Sequence, residues 1–423
     1  MGHKVLVVGG GGREHALAWR LAGSPSVDAV CAAPGNPGMA AIGPTFAVDI
    51  GDPGALAALS EQQGCDLVVV GPEAPLVAGA VDELSRRSIP AFGPTAAGAH
   101  IEGSKAFAKE IMVAAGASTA GYLATSDRDT AFAALERFAA PYVVKADGLA
   151  AGKGVRICED LAEARDAVDD ALVRQAFGDA GATVVIEEFL HGPERSVFGV
   201  CDGTDVVLLA PAQDYKRALD GDDGLNTGGM GAYTPVPGFG LADVGHLEDL
   251  IFRPVLRELA ARGTPYRGLL YAGLVETADG PSLLEFNARF GDPETQAILP
   301  LLASDLGDLL WASATGSVSD VEVSWHDQAV VTVVLASGGY PGPYPTGVPI
   351  TGVADADAVD GVTVFHAGTA TDEQGRLVTA GGRVLGVTAA GTDVAAARAT
   401  AYGAADRISF DGLHRRSDIA ARL

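Results

Sequence analysis

The first hundred residues alternate short β-branched runs with helical stretches, and this alternation admits few folds. Val5 to Val8, Val27 to Cys31, Leu67 to Val70 and Pro90 to Phe92 read as strands, separated by amphipathic stretches such as Glu14 to Leu21 and Pro53 to Gln63. Strands that alternate with helices pair in parallel, because the crossovers lay helices on both faces of the sheet. The expectation is a doubly wound α/β unit. In such sheets ligands bind at the carboxyl ends of the strands, where this chain carries Gly9-Gly10-Gly11-Gly12-Arg13-Glu14, Pro34-Gly35-Asn36-Pro37-Gly38 and Gly71-Pro72-Glu73-Ala74-Pro75-Leu76.

The first of these turns is not a dinucleotide fingerprint. Glu14 stands where the third glycine belongs, and Ala32 to Asn36 offers no acidic residue at the end of the second strand to grip a ribose. A small phosphorylated substrate, held by loop amides at a helix N-terminus, fits better. A glycine turn that merely lets helix and strand pack closely is the alternative.

From Thr119 the order of elements changes. Helical Ser104 to Ala115 and Asp129 to Phe138 bracket a strand, and a helix from Leu161 to Ala176 and a strand from Thr183 to Ile186 come after it, as in a small α+β lid. A more antiparallel region comes next, with strands Ser196 to Val200, Asp205 to Ala210, Leu269 to Glu276 and Ser282 to Arg289, and a helix from Val244 to Arg262. The Pro/Gly-rich run from Gly338 to Pro345 separates this from short strands (Val362 to His366, Arg383 to Val387) and a last helix, Val394 to Ile408. The expected divisions are therefore 1–118, 119–190, 191–330 and a small C-terminal α+β domain at 331–423.

Within the lid, Tyr142 to Ile157 (YVVKADGLAAGKGVRI) looks like a Walker A loop but is not one. Gly148 to Gly152 is one residue short, and Gly154 stands where a hydroxyl should hold Mg²⁺. The flanks are strand-like, so the segment reads as a glycine hairpin with Lys153 at its tip; an ordinary turn with a solvated lysine is the alternative. Lysine is scarce: of 29 basic residues only Lys4, Lys105, Lys109, Lys145, Lys153 and Lys216 are lysines. Such a chain should keep lysine mainly where a compact, flexible ammonium is useful.

Strand periodicity in Ser282 to Phe290 (SLLEFNARF) puts Glu285, Asn287 and Arg289 on one face and Leu284, Phe286, Ala288 and Phe290 on the other. Glu285 and Asn287 are hard oxygen donors suited to Mg²⁺ completed by substrate phosphates, and Arg289 can grip a carboxylate or phosphate bidentately. The adjoining Gly291-Asp292-Pro293-Glu294 reads as a helix start. A solvated strand face is the alternative. Gln213 to Tyr233 (QDYKRALDGDDGLNTGGMGAY) mixes Asp214, Lys216 and Arg217 with a glycine-rich run, too glycine-rich for a regular element; it offers backbone donors to anions or is a plain surface loop. Glu187 to Leu190 ends a strand at a natural hinge whose backbone can read an adenine edge, with Glu194 beyond it in reach of ribose hydroxyls; each carboxylate alone is as compatible with a plain surface position. His15 and His100 lie near the candidate loops, but no histidine pair has metal spacing, and no Ser-His-Asp or Cys-His signature is found.

Composition narrows the partners. With 48% hydrophobic and 20% charged residues the chain is globular, and a formal net charge of -25 argues against general nucleic-acid binding and against docking on anionic membranes. Cys31, Cys65, Cys158 and Cys201 are widely spaced, which fits a reducing cytoplasm, and neither a signal peptide nor a membrane-spanning apolar run is read.

Taken in order, GGGGREHALAW, PGNPG, GPEAPL, EGSKAFAKE, VVKADGLAAGKGV, QDYKR…NTGGMGAY and LLEFNARFGDPETQ resemble the glycinamide ribonucleotide synthetases (phosphoribosylamine–glycine ligases) of the ATP-grasp superfamily over essentially the whole chain. Tyr215 departs from the histidine common in that family. The resemblance implies that ATP, glycine and 5-phosphoribosylamine give glycinamide ribonucleotide, ADP and phosphate through a glycyl phosphate, the second step of de novo purine synthesis. It implies that Lys105 and Lys145 contact the ATP phosphates with Gly152-Lys153-Gly154 folded over them, that Glu187 and Leu190 read adenine and Glu194 the ribose, and that Glu285 and Asn287 hold Mg²⁺ or Mn²⁺. Arg289, Asp214 and Lys216 are implied for the reacting centre, and Gly10, Gly11, Gly12, Arg13, Glu14, Asn36, Glu73 and Asp292 for phosphoribosylamine. A cytoplasmic monomer is expected, in transient contact with the upstream amidotransferase and, as the chain ends soon after its last helix, with no appended domain. The competing readings are a carboxylating or formate-using ATP-grasp enzyme, a biotin carboxylase, and a nucleotide-binding regulator without turnover.

Overall fold

A computed structural model describes residues 2–150 and 154–421. The N-terminal sheet is parallel throughout, in the order Val27–Pro34, His3–Gly9, Leu67–Val70, Ala91–Phe92. Val5, Leu6, Val7 and Val8 are all fully buried, as a parallel strand covered on both faces requires. Because the chain winds from His3–Gly9 to one neighbour and returns on its other side, the loops after His3–Gly9 and Leu67–Val70 flank the crevice where the strand order reverses. Helix Pro53–Gln63 has the expected punctuation: Asp52 accepts from the amides of Gly54 and Ala55, proline opens the first turn, and Gly64 closes it at φ 61°.

The lid is a second, antiparallel sheet of Tyr122–Thr125, Val184–Glu188, Tyr142–Ala146 and Val155–Cys158, in that spatial order. Helices Arg128–Leu135 and Leu161–Leu172 cover it through Ala131, Leu135, Ala164 and Val168, so it carries its own core. Tyr142–Ala146 and Val155–Cys158 are antiparallel neighbours, as the rejection of a Walker loop requires; Gly152 and Lys153 at the tip lie outside the described residues.

The central sheet runs Val206–Leu208, Glu194–Asp202, Arg267–Thr277, Gly280–Asn287, all antiparallel. The helix expected from Val244 to Arg262 is three pieces, Leu241–Leu247, a wider π-turn at Glu248–Phe252, and Arg253–Ala261. The widening precedes Pro254, which has no N–H to offer a carbonyl four residues back.

The largest departure from expectation is Ala329–Ser337, a nine-residue strand buried along its whole length. Its run AVVTVVLAS carries a plain strand signal, but the expected division at 330/331 cuts through its start. It lies at the centre of a sheet ordered Gln213–Asp214, Gly231–Thr234, Ala329–Ser337, Arg383–Gly391, Val362–His366, with Leu413–His414 also pairing Ala329–Ser337. The Gln213 to Tyr233 run is thus not devoid of elements: it supplies two strands to this sheet and a separate hairpin, Arg217–Leu219 with Asp223–Asn226. Among the described residues no helix is long and apolar enough to cross a membrane.

Candidate functional site

The strand ends at Asn287, two residues short of the expected Arg289, but the two-residue alternation runs on through the bend: Glu285, Asn287 and Arg289 are half-buried and Phe286, Ala288 and Phe290 buried. Leu284 is the exception. It is the extra residue of a bulge in its own strand, since consecutive Gly273 and Leu274 opposite pair with Glu285 and Leu283; Leu284 is only half-buried, its carbonyl accepting from Lys145 Nζ at 3.4 Å.

Above this face, where lid meets core, four lysines converge. Lys145 Nζ lies 2.8 Å from Glu187 Oε1, and Lys109 Nζ lies 2.7 Å from Glu187 Oε2 and donates to Thr119 Oγ1 at 2.7 Å. Glu187 is almost wholly buried between them, its side chain occupied with lysines and its backbone in register with Tyr122 and Val143 of the lid sheet. Lys105, the first residue of helix Lys105–Ala114, donates to the Gly148 carbonyl at 3.1 Å. Burial pulls Lys109 down to about 8 against the opposing pull of Glu187, with Lys145 adding to the fall; burial also lowers Lys105. Lys216 contacts both Asp214 oxygens at 2.8 Å and stands 3.9 Å from Glu194. Burial works against its charge, but Asp214 leads a set of neighbours that hold Lys216 well above its ordinary value. Leu190 sits half-buried just past Val184–Glu188, in the connection to Glu194.

Glu285 faces this cluster. Burial pushes its carboxyl up, but the charges of Lys145, Lys216, Lys105 and Arg289 outweigh burial and hold it below the usual carboxylate range. Asn287 Oδ1 accepts from Arg289 Nη2 at 3.1 Å and keeps a second lone pair. Among the described residues no group of three or more His, Cys, Asp or Glu side chains is arranged to hold a metal ion. Two hard oxygens two residues apart on one strand face fit a divalent cation whose other ligands are water and phosphate.

Below the strand, the second half of the site is built from arginines. Arg289 pairs with Glu102 Oε1 at 2.9 Å and approaches Glu73 Oε2 at 3.6 Å. Glu102 also accepts from the Ala288 amide at 2.7 Å. Burial raises Glu73, yet Arg289 and Arg13 hold its carboxyl below the ordinary range. In the first glycine loop, Glu14 accepts from the Gly11 amide at 2.7 Å and from Arg13 Nε at 2.6 Å, and Arg13 reaches across to the Phe290 carbonyl at 3.0 Å. Gly10, Gly11 and Gly12 leave no room for side chains: a Cβ on Gly10 would stand 2.5 Å from the Gly35 carbonyl, and one on Gly12 2.5 Å from Gln296 Nε2. Asn36 is engaged at both ends of its amide, capping Pro37–Ile42 through the Met39 amide and donating to the carbonyls of Gly10 and His366 at 2.9 Å. Its geometry is that of a brace for the loop. Asp292 accepts from Gln296 at 2.8 Å, and Arg383, from the C-terminal domain, stands 3.3 Å from its carboxylate while donating to the Asp292 and Gly228 carbonyls at 2.6 and 2.8 Å.

Four side chains at this site were not singled out from sequence. Lys109 had a signal, as one of six lysines one turn from Lys105. Glu102 precedes the Gly-Ser-Lys turn without any pattern of its own, and Arg383 lies far away in sequence, in a strand. Glu294, which accepts from Tyr271 OH at 3.1 Å and is pushed up by burial and by Asp214, resembled only a helix start.

Comparison with known proteins agrees along the whole chain. The phosphoribosylglycinamide synthetase N domain matches residues 3–102, its ATP-grasp (A) domain 103–295 and its C domain 330–422. The phosphoribosylamine–glycine ligase of Streptomyces coelicolor is 51% identical over 99% of both chains, and that of Caulobacter vibrioides 50% identical over 99% of this chain and 98% of its own. A crystal structure of the Thermotoga maritima phosphoribosylamine–glycine ligase superposes with a TM-score of 0.84 at 33% identity, covering 98% of this chain and 100% of that one. A biotin carboxylase domain from Hydrogenobacter thermophilus shares the fold, with a TM-score of 0.73, 16% identity, and coverage of 98% and 92%. With its nucleotide-side lysines, its oxygen-bearing strand and its glycine loops in one connected site, and with matches spanning all three domains, the chain belongs to the phosphoribosylglycinamide synthetase family of ATP-grasp ligases.

Proposed function

We propose that this chain joins glycine to 5-phosphoribosylamine with ATP, giving glycinamide ribonucleotide, ADP and phosphate, the second step of de novo purine synthesis. The observation that carries the residue-level reading is the convergence of Lys105, Lys145 and Lys216 on Glu285 at the seam between lid and core. A carboxylate has no usable leaving group, and phosphorylation by ATP supplies one, provided water is excluded while the acyl phosphate lasts. Such a transfer needs positioning and charge neutralisation more than a protein nucleophile, which accounts for the lack of a triad in the sequence.

In this reading Lys105 and Lys145 meet the nucleotide phosphates, with Gly152-Lys153-Gly154 folding over them. The backbone from Glu187 to Leu190 takes the adenine edge and Glu194 the ribose. A divalent cation, Mg²⁺ or Mn²⁺, held by Glu285 and Asn287, would neutralise charge on the phosphates. Arg289 and Lys216 orient the glycine carboxylate toward the terminal phosphate, and Asp214 meets the glycine ammonium. The amides of Gly10 to Gly12, with Arg13, Glu14, Glu73 and Asp292, hold phosphoribosylamine so that its amine attacks the glycyl carbonyl. The C–N bond forms as the C–O bond to phosphate breaks, and the amine loses a proton. We extend the reading to a cytoplasmic monomer that takes its labile amine substrate from an upstream amidotransferase; four free thiols fit a reducing compartment.

The test is a phosphate-release assay with purified protein and Mg·ATP. Release should require glycine and phosphoribosylamine together. Release that ignores glycine, or that proceeds with bicarbonate or formate in its place, would overturn the assignment.

A further inference from the structure

Asp214 and Lys216 stand at the edge of the C-terminal sheet. Gln213–Asp214 is a two-residue edge strand paired to Tyr233 and Ala232, a ladder that continues through the bonds of Tyr215 with Gly231 and Met230, and Thr227 donates its amide to the Lys216 carbonyl. Immediately after it, Arg217–Leu219 and Asp223–Asn226 form a two-stranded hairpin that joins no larger sheet and leaves Leu219 and Leu225 exposed. An isolated hairpin of this size is marginal in water. Yet the Lys216 ammonium is centred on both Asp214 oxygens at 2.8 Å. The hairpin that follows them has no sheet neighbour of its own and is held from outside it.

We propose that the C-terminal run His414–Ala420 is a clasp that locks the 213–226 segment, and that Tyr215 is the positioning residue through which it sets Asp214 and Lys216. The clasp engages the hairpin along its length. His414 Nε2 lies 2.8 Å from the Ala218 carbonyl, the Ser417 amide donates to Asp220 at 2.8 Å, and the Gly221 amide donates to Asp418 at 2.8 Å. At its centre is Arg416, wholly buried, which donates to Asp222 at 2.8 Å and to the Arg217 carbonyl at 3.1 Å and is held bidentately by Asp418 at 2.7 Å. Tyr215 lies between Asp214 and Lys216. Its hydroxyl accepts from the Ala420 amide at 2.8 Å, and the Arg416 guanidinium sits over its ring, 4.8 Å from the centroid. Its own amide and carbonyl bond Gly231 and Met230, so the ring ties the clasp to the backbone that carries both charged side chains. Tyr402 anchors the clasp from behind, donating to the Arg416 carbonyl at 2.8 Å and accepting from the Ile419 amide at 3.2 Å.

The clasp's effect on catalysis rests on the proposed role of Asp214 and Lys216 in holding glycine. It is tested with the full-length protein and three variants. Tyr215→Phe keeps the ring and deletes one hydrogen bond; Arg416→Lys keeps the charge and deletes the planar fork. Both should raise the KM for glycine, Tyr215→Phe by about fivefold, the equivalent of one ordinary hydrogen bond, and Arg416→Lys by more, while the KM for ATP stays within about twofold. Amide hydrogen exchange over residues 216–227 should quicken in both, with the lid strands unaffected. Unchanged exchange over 216–227, or a uniform loss of all kinetic constants together with thermal stability, would overturn the clasp; quickened exchange with a glycine KM unchanged in both variants would overturn the positioning role of Tyr215. Lys216→Met separates the two layers: if it leaves the glycine KM alone, the glycine assignment fails, and exchange still decides whether the clasp holds the segment.

Discussion

The two halves of the site solve the handling of negative charge differently. At the seam between lid and core Lys105, Lys109, Lys145 and Lys216 supply the positive charge, so four of only six lysines in the chain gather there, two of them sharing a single carboxylate, Glu187. On the substrate side Arg13, Arg289 and Arg383 supply it, and each is already tied to a carboxylate and a backbone carbonyl. An ammonium is a compact point charge on a flexible stem, suited to phosphates that arrive beneath a separately folded lid; a guanidinium is a planar fork suited to a surface that is fixed in advance. The difference teaches that both sides are organised in advance by ion pairs, the lysine side with compact charges on flexible stems and the arginine side with more rigid planar forks.

The largest expected effect breaks the nucleotide side. Glu285→Gln removes the charge that four cations surround and, in the proposed reading, the harder of the two cation ligands. Turnover should fall by at least about 10³-fold, while far-UV circular dichroism and thermal stability are kept. Unchanged kinetics would mean that the metal ligand lies elsewhere. Arg289→Lys probes the rigid side. A lysine cannot bridge Glu102, Glu73, Asn287 and the Phe290 carbonyl at once, so kcat/KM for glycine should fall by about 10²-fold, about 2.7 kcal/mol, with little change in ATP affinity measured by equilibrium binding. An equal loss of ATP affinity would show that the two sides are not separable in this way.

The smallest effect concerns how the rigid side is assembled. His15, on the first helix, accepts through Nδ1 from the His366 amide of the C-terminal domain at 2.8 Å. Burial, with a lesser contribution from His366, lowers His15 from 6.5 to about 3, and burial lowers His366 to about 4. Between pH 6.5 and these values the unfolded chain takes up protons that the folded chain does not. Stability from this pair is therefore present above pH 6.5 and lost as pH falls toward 4, by a few kcal/mol at most. Melting temperature measured from pH 7 to pH 4 should decline less steeply in His15→Gln; identical slopes would remove the pair from the acid response.

Much of this site was legible in the sequence because its signals are local. The two-residue period of Glu285, Asn287 and Arg289 needs only a strand, and the short spacer and missing hydroxyl at Gly148 to Gly154 exclude a Walker loop without any tertiary knowledge. The signals that failed were those that depend on a neighbour. Leu284 left its expected face because it is the unpaired residue of a bulge against Gly273 and Leu274, and the Glu187 carboxylate is taken by Lys109 and Lys145. Nor does a local pattern show that Asn36 also braces its loop, donating to the carbonyls of Gly10 and of His366, 330 residues away.

By itself, then, the sequence determined the parallel N-terminal sheet, the glycine loops at its strand ends, the lid hairpin and the oxygen-bearing strand, since periodicity, turn chemistry and spacing act over a few residues. Only the tertiary structure decided that Arg383 and Glu102 complete the substrate side, that Ala329–Ser337 seats Gln213–Asp214 and Gly231–Thr234 in the C-terminal sheet, and that His414–Ala420 closes over Tyr215. Those contacts join segments as much as about 200 residues apart, and no local pattern records which distant backbone will arrive to satisfy a buried charge.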